Sequence, residues 1–186
     1  AEVCASERRV NSVAITEEDG DQTHGGYGFL NAGDNVSVTA TFREAVNVDN
    51  ESGNPTIILV VGNTNRPAPY ASGDNSTELV FRYTIQAGDN DSNGISIRED
   101  ALALNSGTIR DPALNNAILT HSAVDNNSSY KVDTTEFSVN TFTISDTLLT
   151  IGETMAVTLE FSVAVIDFSN DWTRRPSWGE AGAVSV

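Results

Sequence analysis

The sequence has a single cysteine (Cys4), a single lysine (Lys131), one methionine and two tryptophans among its 186 residues. One cysteine cannot close an intramolecular disulfide, so stability must come from packing or from bound metal. Ten basic side chains against 26 acidic ones leave a formal charge of −16, which excludes nucleic-acid binding through bulk charge. The longest apolar run, Ile57 to Val61, falls far short of the ~18 residues that cross a bilayer, so no membrane insertion is expected. The start, Ala1-Glu2-Val3-Cys4-Ala5, has neither the basic nor the apolar region of a signal peptide, so export is expected only through residues outside this sequence.

What is present is Asn, Ser, Thr and Gly between apolar residues, a composition of strands and turns. Apolar and polar residues alternate in Ser12–Thr16, Val36–Phe42, Leu79–Ile85, Ile95–Ile97 and Met155–Val163, a period of two that buries one face of a strand. Turn clusters separate them: Glu18-Asp19-Gly20-Asp21, Ala32-Gly33-Asp34-Asn35, Gly62-Asn63-Thr64-Asn65, Ser72-Gly73-Asp74-Asn75 and Gly88-Asp89-Asn90-Asp91. The expected class is all-β, and the expected architecture a β-sandwich. The one helical candidate is the short segment Glu99–Leu104, which reads equally as an irregular crossover.

A repeat organises the chain. Leu30-x-x-Gly33-Asp34-x-Val36-x-Val38-Thr39-x-x-Phe42-x-x-Ala45-Val46 recurs as Leu149-x-x-Gly152-Glu153-x-Met155-x-Val157-Thr158-x-x-Phe161-x-x-Ala164-Val165, at a constant offset of 119. Upstream, Val13-Ala14-Ile15-Thr16 matches Phe142-Thr143-Ile144-Ser145. A period of this size means tandem domains, since solenoid repeats run at ~20–50 residues. The expected division is an arm at residues 1–10, a domain at 11–135 and a partial second unit at 136–186, whose opening strands should expose an edge and an apolar face.

Gly33-Asp34-Asn35-Val36-Ser37-Val38-Thr39, Phe42-Arg43-Glu44-Ala45-Val46, Tyr70-Ala71-Ser72-Gly73, Ile85-Gln86-Ala87-Gly88-Asp89-Asn90-Asp91-Ser92-Asn93-Gly94-Ile95, Ala103–Ile109 and Tyr130-Lys131-Val132-Asp133-Thr134-Thr135 together resemble the bacterial immunoglobulin-like repeats of very large secreted adhesins. The resemblance implies an immunoglobulin-like Greek-key β-sandwich and an extracellular or cell-surface setting. It also implies calcium at loops and inter-domain joints, and a spacer, adhesive or matrix role. The family's usual Asp-x-Ala-Gly-Asn stands here as Asp111-Pro112-Ala113-Leu114-Asn115, and Glu136-Phe137 replaces the usual Ala-Pro after Asp133-Thr134-Thr135.

Two acidic groups are candidates for calcium (Ca2+). Asp89-Asn90-Asp91-Ser92-Asn93-Gly94 fits the opening of the loop Asp-x-Asp-x-Asn-Gly, with Asp100 where a bidentate ligand would stand; alternate oxygen donors around a tight glycine turn suit calcium. The alternative is a plain acidic turn, because no helices flank it and Ile95-Ser96-Ile97 reads as a strand. In the second group Asp19, Asp21, Glu44 and Asp133 could share one end of a sandwich, where crowded carboxylates call for a cation; the alternative is a solvated acidic loop.

No catalytic signature appears. His24 and His121 lack partners at zinc spacing and read as exposed polar residues, and there is no Gly-x-Ser-x-Gly elbow or dinucleotide loop. Paired carboxylates for sugar hydrolysis come without an aromatic-rich platform, leaving a carbohydrate-binding module or polysaccharide-acting enzyme as the weaker class. Trp172, Arg174, Arg175 and Trp178 read as a contact or edge cap, with a carbohydrate-stacking patch as the alternative. The expected partners are neighbouring repeats or identical subunits. In the latter case the unfinished second unit accepts a strand from the arm or tail of another copy and forms a filament.

Overall fold

A computed structural model describes residues 8–17 and 29–162. The described residues are all-β, with no helix. Contacts divide the chain into two units, Ala1–Thr135 and Glu136–Val186.

The first unit contains ten strands: β1 (Val10–Glu17), β2 (Phe29–Leu30), β3 (Asn35–Asp49), β4 (Thr56–Val61), β5 (Thr64–Ser72), β6 (Ser76–Thr84), β7 (Asn90–Asp91), β8 (Ser96–Ala103), β9 (Thr108–Arg110) and β10 (Lys131–Asp133). Seven of them form one antiparallel sheet in the order β1-β3-β6-β5-β4-β8, with β9 on the far end of β3. A second, small sheet runs β2-β10-β7. The alternation of the sequence explains the packing. Val36, Val38, Ala40 and Phe42 of β3, Ile57, Leu59 and Val61 of β4, and Leu79, Phe81 and Tyr83 of β6 point the same way along their strands and close on one buried cluster.

Two irregularities let the sheet curl round this cluster. β3 is 15 residues long and shifts register between Thr41 and Val46, passing from β1 and β6 to β9. β5 changes partner along its length: Thr64 to Pro69 pair with β4, whereas Tyr70 and Ser72 pair with β6. Pro67 and Pro69 lie within β5. The Tyr70 N–H donates toward the β4 side, to the Pro55 carbonyl. By alternation residues 67 and 69 face away from β4, where no β6 ladder has begun, so the missing N–H groups leave no bond unmade.

Two expectations change here. The helical candidate Glu99–Leu104 lies mostly within β8. Ile97 and Leu102 pair with Leu59 and Ile57, and the residues between them bulge outward, with Asp100 at φ 54. The apolar edge of β4 therefore overrides local helix propensity. Residues 8–10, assigned by the sequence to an arm, belong to the first unit: Val10 is 2 % exposed, and its N–H donates to the Ile118 carbonyl. The rest of the arm lies outside the described residues.

The second unit contributes a hairpin, β11 (Val139–Ile144) and β12 (Val157–Phe161). Its pairing repeats that of residues 10–15 of β1 with residues 38–42 of β3. Val13↔Ala40, Ala14↔Thr39 and Ile15↔Val38 recur as Phe142↔Leu159, Thr143↔Thr158 and Ile144↔Val157, and the shift between Val10 and Ser12 recurs between Val139 and Thr141. The turn is also copied. Asp34 accepts from the Asn31 N–H as Glu153 does from Thr150, and Gly33 and Gly152 stand at φ 100 and φ 94. The environment differs, however. Val38 and Ala40 are fully buried, whereas Val157 and Leu159 are 48 % and 42 % exposed.

Leu114 sits at φ 67 with its side chain largely exposed, at the position where the adhesin-type pattern has glycine. An L-residue there carries a backbone penalty of about 1 kcal/mol that glycine avoids. Glycine also frees the unfolded chain, which offsets about half of that relief, so Leu114→Gly is expected to stabilise the first unit by no more than about 0.5 kcal/mol, whereas Leu114→Val should destabilise it, read as shifts of the denaturant midpoint with unchanged slope.

Candidate functional site

The acidic run between β6 and β8 forms one end of the first unit, and each carboxylate there has its own partners. Asp89 is 2 % exposed. Arg66, projecting from β5, places Nε 2.8 Å and Nη2 2.5 Å from Oδ1. The Tyr83 hydroxyl of β6 donates to Oδ2 at 2.5 Å, and the Gln86 N–H donates to the same oxygen at 3.0 Å. Burial alone would raise the Asp89 carboxyl, but the hydrogen bonds from Tyr83, Gln86 and Arg66 outweigh it and hold the group below the ordinary carboxylate range. Burial, with the Asp89 bond added, pushes the Tyr83 hydroxyl up to about 12.

Asp91 is also buried and serves turns. Its Oδ2 accepts from the Gly62 N–H at 2.6 Å, in the two-residue β4–β5 connection, and its Oδ1 from Gly94 at 2.8 Å and Asn93 at 3.2 Å. Gly94 has φ 99 and passes so close to the Asn127 carbonyl that a Cβ would collide with it. Spacing that suits a calcium loop therefore also suits this carboxylate-closed turn. β10 pairs with β7, bringing Asp133 opposite Asn90 and Val132 opposite Asp91. Thr134 stitches this end shut: its hydroxyl donates to the Asp89 carbonyl and accepts from the Gly88 N–H. An open cleft of about 370 Å³ is lined by Phe29, Asn90, Asp91, Ser92, Val132, Asp133 and Thr135. The hydroxyl and N–H of Thr135 hold the Asp133 carboxyl below its ordinary value.

Of the calcium candidates, Asp91 and Asp133 share this cleft. Asp89 turns inward to Arg66 and Tyr83. Asn93 is exposed and enters the Asp91 turn through its N–H. Asp100 is held elsewhere, by the His121 N–H at 3.0 Å. Glu44 is half-buried on β3, with one carboxylate oxygen lacking a hydrogen-bond partner. Asp19 and Asp21 lie outside the described residues, as do Cys4, His24 and the tail containing Trp172, Arg174, Arg175 and Trp178. Among the described residues no group of three or more His, Cys, Asp or Glu side chains converges on one point. Calcium would need a different ligand set from Asp89, Asp91, Asn93 and Asp100, because Asp89 already carries a cation and Asp100 stands apart in another bond network.

His121 is half-buried and structural: its Nε2 accepts from the Ala101 N–H at 2.9 Å. The residues that sequence reasoning missed are Arg66 and Tyr83. Their signal was faint, a lone arginine beside two prolines, 23 positions from the carboxylate it neutralises.

No family model, curated protein or solved structure matches the chain.

Replacing Asp89 leaves a buried phenol and an arginine without their acceptor, so Asp89→Ala should cost about 3 kcal/mol, equally in calcium and in chelator. The pH dependence follows from the two shifts. The Asp89 contribution is present above the unfolded value of about 3.9 and is lost as pH falls through the lower folded value. The Tyr83 contribution is present below about 10 and is lost as pH rises towards about 12. Denaturant midpoints across pH should show the acid limb flattened in Asp89→Asn and the alkaline limb flattened in Tyr83→Phe.

Proposed function

We propose that this chain is a non-catalytic structural module of a tandem array, built of immunoglobulin-like Greek-key β-sandwich units. It would act as a spacer or adhesive element of a secreted bacterial surface or matrix protein. The observation that carries this reading is the second use of one strand-turn-strand unit, with the same register, bulge and turn bonds. Repetition of a scaffold multiplies length and copy number, which serves reach and attachment. The chemistry of the acidic end is in keeping with this role: the hydrogen bonds of Asp89 and Asp91 hold strands and turns together. The extracellular setting comes from the resemblance to adhesin repeats.

Calcium belongs to the same resemblance. Two of the candidate carboxylates line one place, the Asp91–Asp133 cleft, so calcium dependence is assigned there. Melting temperature at matched ionic strength should then be higher in calcium than in chelator. That difference should be lost in Asp133→Ala and kept in Asp100→Ala. Equal melting of the parent chain in both conditions would remove calcium from the reading. For the role itself, the purified chain should turn over none of a panel of polysaccharides and esters. Hydrolysis abolished by a single carboxylate substitution would overturn it.

A further inference from the structure

Asn93-Gly94 is the one place in the sequence where glycine follows asparagine. Glycine has no side chain to hinder its own nitrogen, so in a free chain that nitrogen reaches the asparagine Cγ easily. The fold treats the two residues differently. Asn93 is exposed, so its side chain can turn and water can reach it. Gly94 is buried and held in three ways. Its N–H donates to Asp91 Oδ1 at 2.8 Å. Its φ is 99, with the Asn127 carbonyl filling the space where a Cβ would stand. The next residue, Ile95, is fully buried, donates its N–H to the Tyr130 carbonyl at 3.0 Å and accepts from the Asn127 N–H at 3.1 Å.

We propose that Asn93-Gly94 is a built-in deamidation site and that the Asp91 carboxylate is the group that keeps it silent in the folded chain. In the reaction the Gly94 nitrogen loses its proton to solvent base and bonds to Asn93 Cγ, and the side-chain amide leaves as ammonia. Water then opens the cyclic imide at either carbonyl, giving aspartate or isoaspartate, so that one amide and one water become one carboxylate and one ammonium. A carboxylate 2.8 Å from the attacking nitrogen opposes the first step twice: it holds the proton, and it repels the negative charge that the nitrogen must take on. The pinned backbone on either side of Gly94 opposes the rotation that brings nitrogen to Cγ. The site therefore reacts when the Asp91 turn opens. Isoaspartate then adds a methylene to the backbone inside the span that Asp91 closes, which works against Asp91 holding Gly62 and Gly94 together again. This depends on the first unit alone and stands apart from the role assigned to the module.

The test incubates the full chain at mildly alkaline pH in calcium-free buffer, beside a synthetic peptide of residues 89–97. Aspartate and isoaspartate at position 93 are quantified by peptide mapping and mass spectrometry. A hydrogen bond to a charged group that must break before attack slows the step about tenfold or more. Asn93 in the folded chain is therefore expected to deamidate at least about tenfold more slowly than in the peptide, and Asp91→Ala should remove most of that difference. Asn75, Asn105 and Asn127, each followed by serine, are the internal reference and should keep their parent rates. If they rise together with Asn93, the variant has unfolded and the comparison passes to Asp91→Asn. That substitution keeps the shape and an acceptor but removes the charge, and Asn93 should then react about threefold faster than in the parent. The proposal is overturned if Asn93 in the folded parent keeps pace with the peptide, or if a folded Asp91 variant reacts there no faster than the parent. It is equally overturned, with no variant needed, if the Gly94 N–H of the parent exchanges with solvent as fast as it does in the peptide.

Discussion

A carboxylate withdrawn from water must be met by donors, and at Asp89 those donors come from three separate places in the chain. Arg66 arrives from β5, Tyr83 from β6 and an N–H from the turn at Gln86. The Asp89 carbonyl holds Thr134 as well, so one residue ties two strands of the large sheet to the closing segment of the unit. A low local dielectric strengthens each of these bonds while they are all made, and makes the loss of any one expensive. The Asp89 side chain is thus spent on architecture.

Around that point the sheet solves a geometric problem. A sheet this broad encloses a core only if it bends, and the bends fall where the ladder is interrupted: the shift within β3, the change of partner along β5 and the outward bulge of β8 at Asp100. The prolines of β5 and the positive φ of Asp100 look unfavourable for strands in isolation. They are tolerated because they sit where no N–H is required or where the chain must turn outward.

The two units separate what local pattern achieves from what burial achieves. Corresponding residues produce the same pairing, bulge and turn in both, yet one face lies in a core and the other, among the described residues, is exposed. The hairpin geometry therefore comes from local sequence, with Gly33 and Gly152 permitting the turn and Asp34 and Glu153 closing it. Burial comes from strands far away in the chain.

Alternation with a period of two was enough to establish the all-β class and the strands at Val36–Phe42 and Leu79–Ile85, because side-chain period is a local property of backbone geometry, and the recurrence of individual residues established the duplication at an offset of 119. Turn positions followed for the same reason: Gly33, Gly62, Gly73 and Gly88 all have positive φ. Tertiary structure alone decided the rest. β5 keeps its two prolines because its neighbours leave the N–H side of those positions without a ladder, and Glu99–Ala103 became strand because β4 offered it a partner. The carboxylates show the same limit most sharply. Spacing presented Asp89, Asp91, Asn93 and Asp100 as one ligand set, yet partners distant in sequence, Arg66, Gly62 and His121, drew three of them into different bonds. Charge neutralisation depends on distance in space, and one-dimensional spacing carries that information only within a turn.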